Sequence, residues 1–297
     1  MAMMTSFPDS RATRSASVAP SARAPRDGAA AAPVVMLHSS LASRSQWGAL
    51  AARLAPRHDA IPLDLCGYGE QPMPAARRTF TLDDEVQAVA ARVDRLLPSG
   101  TRFHLVGHSY GGAVALRYAQ RHGERVASLA LYDPVAFSLL DGTDGLGELA
   151  AEVARLVDVH RYHEATRAFV DFWSGEGQFV ALPLPVQARL ARRIAKVPLD
   201  FAAARSAPLR LTDCRSIMTP ALVLGGTHSP AVAQRIVAAL ADALPDVRTA
   251  WIDAGHMGPV TDGLRINALF EAFIDACASR DLPRPAAVAE IRQRRCA

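Results

Sequence analysis

Lysine is almost missing from this chain. Of its 33 basic residues only Lys196 is a lysine, a skew that reads, beside the abundant alanine, as coding bias more than chemistry. Aromatic residues make up only 6% of the chain, and the four cysteines (Cys66, Cys214, Cys277 and Cys296) show neither framework spacing nor a C-x-x-C pair. That pattern excludes a disulfide scaffold and fits reduced thiols in a cytosolic, cytoplasmic protein. No group of Cys and His has metal-ligand spacing, so no metal is expected. No apolar run is long enough to span a membrane, and none is expected to bind one. The N-terminus lacks the apolar core of a signal peptide.

The net charge of +4 sits in the tails. Residues 1–32 hold +2 and residues 279–297 hold +3, which leaves the body near −1. A folded domain without a basic stripe is not expected to bind nucleic acid. Residues 1–32, rich in Ser, Ala, Arg and Pro, read as a disordered leader. Residues 279–297 read as a basic C-terminal tail. With 297 residues, half of them apolar, the remainder has ample length to bury a core.

From Ala32 short apolar runs alternate with helical segments, the pattern of an α/β protein with a mostly parallel sheet flanked by helices. The expected strands are Val34–Leu37, Ala60–Leu63, Phe103–Val106, Ser128–Leu131, Ala221–Leu224 and Thr249–Ile252. Helices are expected near 44–54, 82–97, 110–122, 230–243 and 261–278. Gly123 is placed to cap the third helix. Ser229-Pro230 reads as a helix start, with serine as the N-cap. Residues 137–216 break the rhythm. Their periodicity is helical, as in Leu149, Val153, Leu156 and Val157, and they read as a helical insertion, or lid, between core segments 33–136 and 217–278. Phe169, Phe172, Trp173, Phe179 and Phe201 lie in this insertion. They form its own small core, an apolar pocket, or both.

Between the third strand and its helix stands Gly107-His108-Ser109-Tyr110-Gly111. A Gly-x-Ser-x-Gly in that context is a nucleophile elbow, a turn sharp enough to push the serine out at the top of a sheet. A serine hydroxyl needs a base to become a useful nucleophile. Among nine histidines, His256 in Asp253-Ala254-Gly255-His256-Met257-Gly258 follows the last strand at the same end of the sheet. His108 should point away from the serine, His104 lies in a strand, and His122, His160 and His163 read as helix-surface residues. A carboxylate should orient the imidazole. The loop Gly225-Gly226-Thr227-His228-Ser229-Pro230 has none. Tyr132-Asp133-Pro134 leaves Asp133 by elimination, with a simple Asp-Pro turn as the plain alternative. The order Ser, Asp, His then suits the fold. Two backbone N–H groups should hold an oxyanion. Tyr110 is one, and Ser40 in His38-Ser39-Ser40-Leu41 is the other, with Leu41 as runner-up. His38, Leu41, Trp173 and Phe169 are the candidate substrate contacts.

These pieces resemble the α/β-hydrolase fold, in its lid-bearing esterase, lyase and haloperoxidase group. The resemblance rests on Leu37-His38 with Ser39-Ser40, Gln46-Trp47, Asp64-Leu65-Cys66-Gly67-Tyr68-Gly69, the GHSYGG elbow, and Gly255-His256-Met257-Gly258, and it spans residues 33–277. It implies that Ser109 and His256 are catalytic and that Asp64 with its loop shapes the floor of the site. Two departures stand out. Family members usually have His-Gly where this chain has His38-Ser39. Most carry the acid one strand later, whereas a minority use the strand end that Asp133 occupies.

The expected function is hydrolysis of a small to medium apolar carboxylic ester, thioester or lactone through an acyl-enzyme on Ser109, without cofactor or metal. The expected partner is thus a small-molecule acyl substrate. Carbon–carbon bond hydrolysis, cofactor-free haloperoxidase chemistry, cyanohydrin cleavage, acyl transfer and a slow-turnover ligand-binding receptor remain open, because fold does not fix chemistry.

Overall fold

The computed structural model describes residues 31–75, 79–140 and 146–279. The expected leader and tail lie outside the described residues, apart from Ala31, Ala32 and Ser279. The six expected strands are present, three of them longer at the carboxyl end and two at the amino end. They are β1 (Val34–Leu37), β2 (Ala60–Leu63), β3 (Phe103–His108), β4 (Val126–Tyr132), β5 (Ala221–Gly226) and β6 (Val247–Ile252). All neighbours pair in parallel, in the order β2-β1-β3-β4-β5-β6.

The central strands are near-continuous apolar runs because both faces of a parallel sheet are covered by helices. Successive side chains point to opposite faces. Val35 and Leu37 pack with Leu105, Leu129, Leu131 and Val223 on one face, while Val34 and Met36 pack with Val106, Ala130, Leu222 and Leu224 on the other. The second face is covered by α1 (Gly48–Leu54) and, late in the chain, by α12 (Gly263–Ala278), which contribute Leu50, Leu54, Ile266 and Phe270. The first is covered by α2 (Leu82–Leu96), α3 (Tyr110–Arg121) and α10 (Ala231–Ala243), through Val86, Val89, Val114, Ile236 and Leu240. A capping box starts α2. The Thr81 hydroxyl accepts from the Asp84 N–H, and the Asp84 carboxylate accepts from the Thr81 N–H.

Between β4 and β5 run α4 (Leu146–Asp158), α5 (Tyr162–Ser174), α6 (Gln178–Ala181), α7 (Leu184–Ala191), α8 (Val197–Ser206) and α9 (Leu211–Cys214). A short α11 (Gly258–Thr261) precedes α12. Among the described residues, no helix is long and apolar enough to cross a membrane.

Strand order places the site. The chain runs outward from β1 to β2, then returns to the far side of β1 for β3. The loops after β1 and β3 therefore leave in opposite directions and open a crevice at the carboxyl ends of these strands. The Ser39-Ser40 loop and the Ser109 turn lie on its two sides.

Two local expectations fail for tertiary reasons. Gly123 does not cap α3. It opens a 3-10 turn, Gly123–Arg125, closed by the Arg125 N–H on the His122 carbonyl, that leads directly into β4. Ser229 does not cap α10 either. The N-cap is Pro230, and the Ser229 hydroxyl is engaged by the Asp133 carboxylate.

Candidate active site

The elbow is built by close approach. A Cβ on Gly111 would stand 2.4 Å from the carbonyl oxygens of Leu37 and His38, and one on Gly107 would stand 2.6 Å from the Gly111 carbonyl. Only glycine lets α3 lie this near β1 and β3. Ser109, between them, adopts φ 55° and ψ −119°, a strained conformation for a residue with a side chain. It is fixed by its own N–H on the Tyr132 carbonyl, and its carbonyl accepts from Ala113 and Val135.

The structure brings the three expected side chains together. Ser109 Oγ lies 2.9 Å from His256 Nε2, and His256 Nδ1 lies 3.2 Å from Asp133 Oδ2. An acceptor on Nδ1 requires the proton there, which leaves Nε2 free to accept from the serine. Asp133 is fully buried and sits at φ 41°, a second strained residue beside the first. Its carboxylate also accepts from the Ser229 hydroxyl at 2.5 Å and from the Gly226 N–H at 3.2 Å. Three donors on one carboxylate compensate for its loss of water.

A second layer holds His256. His108 points away from Ser109, as expected, and its Nε2 donates to the His256 carbonyl at 2.8 Å. Its Nδ1 accepts from the Gln46 amide at 3.1 Å, whose oxygen in turn accepts from the Ser39 N–H and hydroxyl. The Ser39 side chain, the departure from the usual glycine, thus joins the loop after β1 to the histidine loop. Tyr132 donates to the Gly255 carbonyl at 2.8 Å. Burial holds the His108 pKa well below the ordinary imidazole value, and the neighbouring His256 adds to the effect. From the insertion, the Trp173 indole stacks on the His256 ring, centroids 4.2 Å apart and planes 29° from parallel.

Ser40, Ser109 and Tyr110 line one small cavity with Phe169, Trp173 and Phe201. As the first residue of α3, Tyr110 carries an N–H with no partner inside its helix. On the other side of the crevice, Ser40 but not Leu41 reaches the lining of this cavity. Leu41, Phe169 and Trp173 also line a larger groove that contains His256. His38 is elsewhere. It is fully buried, its Nδ1 donates to the Ser39 carbonyl and its Nε2 accepts from the Leu65 N–H. Burial lowers its pKa to about 4. It braces two loops and contacts neither cavity, so its expected role as a substrate contact is corrected. His228 pairs with Asp253 at the surface.

The model of the alpha/beta hydrolase family matches residues 34–269. The chain belongs to this family. Among curated relatives, the 2-hydroxymuconate semialdehyde hydrolase of Pseudomonas sp. (strain CF600) is 31% identical over 144 residues, which is 46% of this chain and 50% of that protein. The lipase LipV of Mycobacterium tuberculosis is 37% identical over 112 residues, 38% of this chain and 40% of that protein. The chain thus spans half or less of the length of these relatives. Of solved structures, MenH from S. aureus superposes with a TM-score of 0.71 at 19% identity, covering 85% of this chain and 97% of that one. At such identity the likeness is one of fold.

Within this alpha/beta hydrolase frame, the Asp64 carboxylate accepts from the Arg44 and Glu70 N–H groups and so pins the loop below the crevice. Composition and spacing gave no functional weight to the sole lysine. Lys196 is fully buried. Its ammonium lies 2.5 Å from Asp200 Oδ1 and 3.2 Å from Glu85 Oε2, within 4.6 Å of the Phe80 ring. Burial opposes its charge, but the two acids outweigh burial and raise its pKa above the ordinary lysine value. Burial likewise raises the Asp200 pKa, against the pull of Lys196. Asp200 Oδ2 accepts from Tyr68 at 2.5 Å and Ser40 at 2.6 Å. The insertion is thereby tied to the Ser39-Ser40 loop, and a charged group is placed in the lining of the Ser109 cavity. The signal available in the sequence was the i, i+4 spacing of the only Lys with an Asp.

Proposed function

We propose that this protein is a serine hydrolase that cleaves a carboxylic ester, thioester or lactone through an acyl-enzyme on Ser109. The observation that carries this reading is the unbroken line of hydrogen bonds from Ser109 through His256 to Asp133. Ser109 Oγ bonds to the substrate carbonyl carbon, and its proton passes to His256 Nε2. Asp133 holds the imidazole in the required tautomer and stabilises it when charged. The Tyr110 and Ser40 N–H groups receive the carbonyl oxygen as it gains negative charge, each such donor being worth about 10²–10³ in turnover. The bond from carbonyl carbon to leaving atom then breaks, and the leaving atom takes the proton from His256. Water adds to the acyl-enzyme by the same route, with His256 as base, and releases the acid and free Ser109. Helices α4–α9 act as the lid, with Trp173 and Phe169 in contact with substrate. Every proton in this sequence moves between protein groups, substrate and water.

The test is intact-mass labelling with a fluorophosphonate. A single adduct is expected on the wild type and none on Ser109→Ala. Asp133→Asn should label about 10³–10⁴ times more slowly, because the imidazole loses its tautomer control. A folded wild type that never labels would refute the reading and favour a binding protein. A second reading, carbon–carbon bond hydrolysis, is supported by the similarity to the 2-hydroxymuconate semialdehyde hydrolase over 144 residues. Turnover of a 2-hydroxy-6-oxo-dienoate in preference to simple aryl esters would favour it.

A further inference from the structure

The crevice has two compartments of unlike size and opposite charge. The cavity beside Ser109 measures about 10 Å³, room for about one water. It is lined by aromatic rings. Phe137 stacks on Trp173 and Phe201, and Phe169 meets Phe201 edge-on. Its one charged lining residue is Asp200. With Lys196 and Glu85 this forms a buried set with one cation against two acids. The groove on the other side measures about 750 Å³, within the range of sites for sizeable small molecules. Its charged lining residues are Arg189 and Arg193. Arg192 lies beside them, and Arg189 and Arg192 both act on the Arg193 guanidinium. Among the described residues, none of these three arginines is in an ion pair. Arg193 donates to the Leu41 and Ala42 carbonyls, so its charge is fixed at the groove wall.

Proton transfer decides which end of a substrate lies where. His256 must deliver a proton to the leaving atom, and His256 lines the groove but not the small cavity. The leaving group therefore lies in the groove and the acyl group in the cavity. We propose that the substrate is an ester or thioester with a short acyl group free of negative charge and a large leaving group bearing an anionic oxygen group (phosphate, sulfonate or carboxylate) held by Arg189 and Arg193. This rests on the serine-hydrolase reading of Ser109. Asp200 repels a carboxylate on the acyl side, and the arginines attract one on the other, so charge sets the direction of binding as well as its strength.

The test compares kcat/KM for aryl acetates, each corrected for its uncatalysed hydrolysis. The pair is 4-acetoxybenzenesulfonate and its neutral near-isostere 4-acetoxybenzenesulfonamide. Acetoxyphenyl phosphate and acetoxybenzoate show which oxyanion is favoured. The sulfonate should lead the sulfonamide by on the order of tenfold in low salt, the effect of two charge pairs across about 4 Å of a wet groove. The lead should shrink toward parity at about 1 M salt, where the screening length is about 3 Å. Arg189→Gln should cut the ratio severalfold. Octanoyl esters and a hemisuccinate of the neutral phenol should be poorer than the acetate. A ratio near one that ignores salt, or a preference for the octanoyl or hemisuccinate ester, overturns the proposal while leaving the serine hydrolase standing. Failure of every ester, with no phosphonate adduct, refutes both together.

Discussion

Three neutral histidines buried in the fold should make this protein acid-labile well above the range where carboxylates protonate. Burial lowers the pKa of His38 to about 4 and of His104 to about 4, and holds His108 well below the ordinary value. An unfolded histidine titrates near roughly 6.5. Each folded pKa is depressed for a base, so the native state refuses protons that the unfolded chain accepts. The stability these groups confer is complete above about pH 6.5 and is lost as pH falls toward about 4, at about 1.4 kcal/mol per pH unit for each group. At about pH 5 the loss is about 2 kcal/mol per histidine, or about 6 kcal/mol for the three. That is comparable to the whole stability of an ordinary domain. Two aspartates are shifted as well. Asp83, held low by Arg117, loses its contribution only at more acid pH. Asp200, raised by burial, acts with the opposite sign, and its contribution is lost as pH rises. Urea unfolding followed by tryptophan fluorescence from about pH 7.5 to about pH 5 should show the midpoint falling with a slope near three protons per unfolding event. His104 lies away from the crevice, with Nδ1 on the Ser128 hydroxyl, and His104→Gln should lower that slope by about one proton. A midpoint flat across this range, or a slope unchanged in His104→Gln, would show that these rings are not buried neutral.

Three further outcomes follow from geometry. Gly111→Ala places a Cβ 2.4 Å from two backbone oxygens, and should cost at or above the upper end of the usual 1–3 kcal/mol for overpacking, read as a drop in the urea midpoint or loss of soluble protein. Ser229→Ala removes a 2.5 Å hydrogen bond to the Asp133 carboxylate, which should cost about 1.5–3 kcal/mol and slow fluorophosphonate labelling by less than Asp133→Asn does. Lys196→Met leaves Glu85 and Asp200 buried without their cation and should cost about 3–5 kcal/mol. That loss should be larger at alkaline than at mildly acid pH, since protonating an orphaned acid relieves it.

What could be read from the chain and what could not divides by the range of the forces involved. The strands were legible because a buried parallel strand must be apolar along its length, and Val34–Leu37 or Ala221–Leu224 have no other way to be. The Ser109 turn was legible because its glycines answer a local steric demand. Ser229 shows where that logic stops. Serine before proline is a sound local signal for a helix start, yet a fully buried carboxylate 2.5 Å away claims the hydroxyl more strongly than any helix N–H can. Asp133 itself was reached only by elimination, since an Asp-Pro turn and an orienting acid look alike until Gly226, at the end of β5, and Ser229, in the loop after it, come in to meet it. Lys196 is the extreme case. Its partner Asp200 is one turn away in sequence, but Glu85 and Phe80 come from over a hundred residues earlier, and a lone lysine in an arginine-rich chain looks like codon usage until those elements close around it. A guanidinium would need more room and more acceptors than two carboxylates and a ring of aromatics provide. On that argument the one lysine of this protein stands where it does because arginine does not fit, and Lys196→Arg should destabilise the fold although it keeps the charge. A variant as stable as the wild type in urea would return Lys196 to the status of a codon accident.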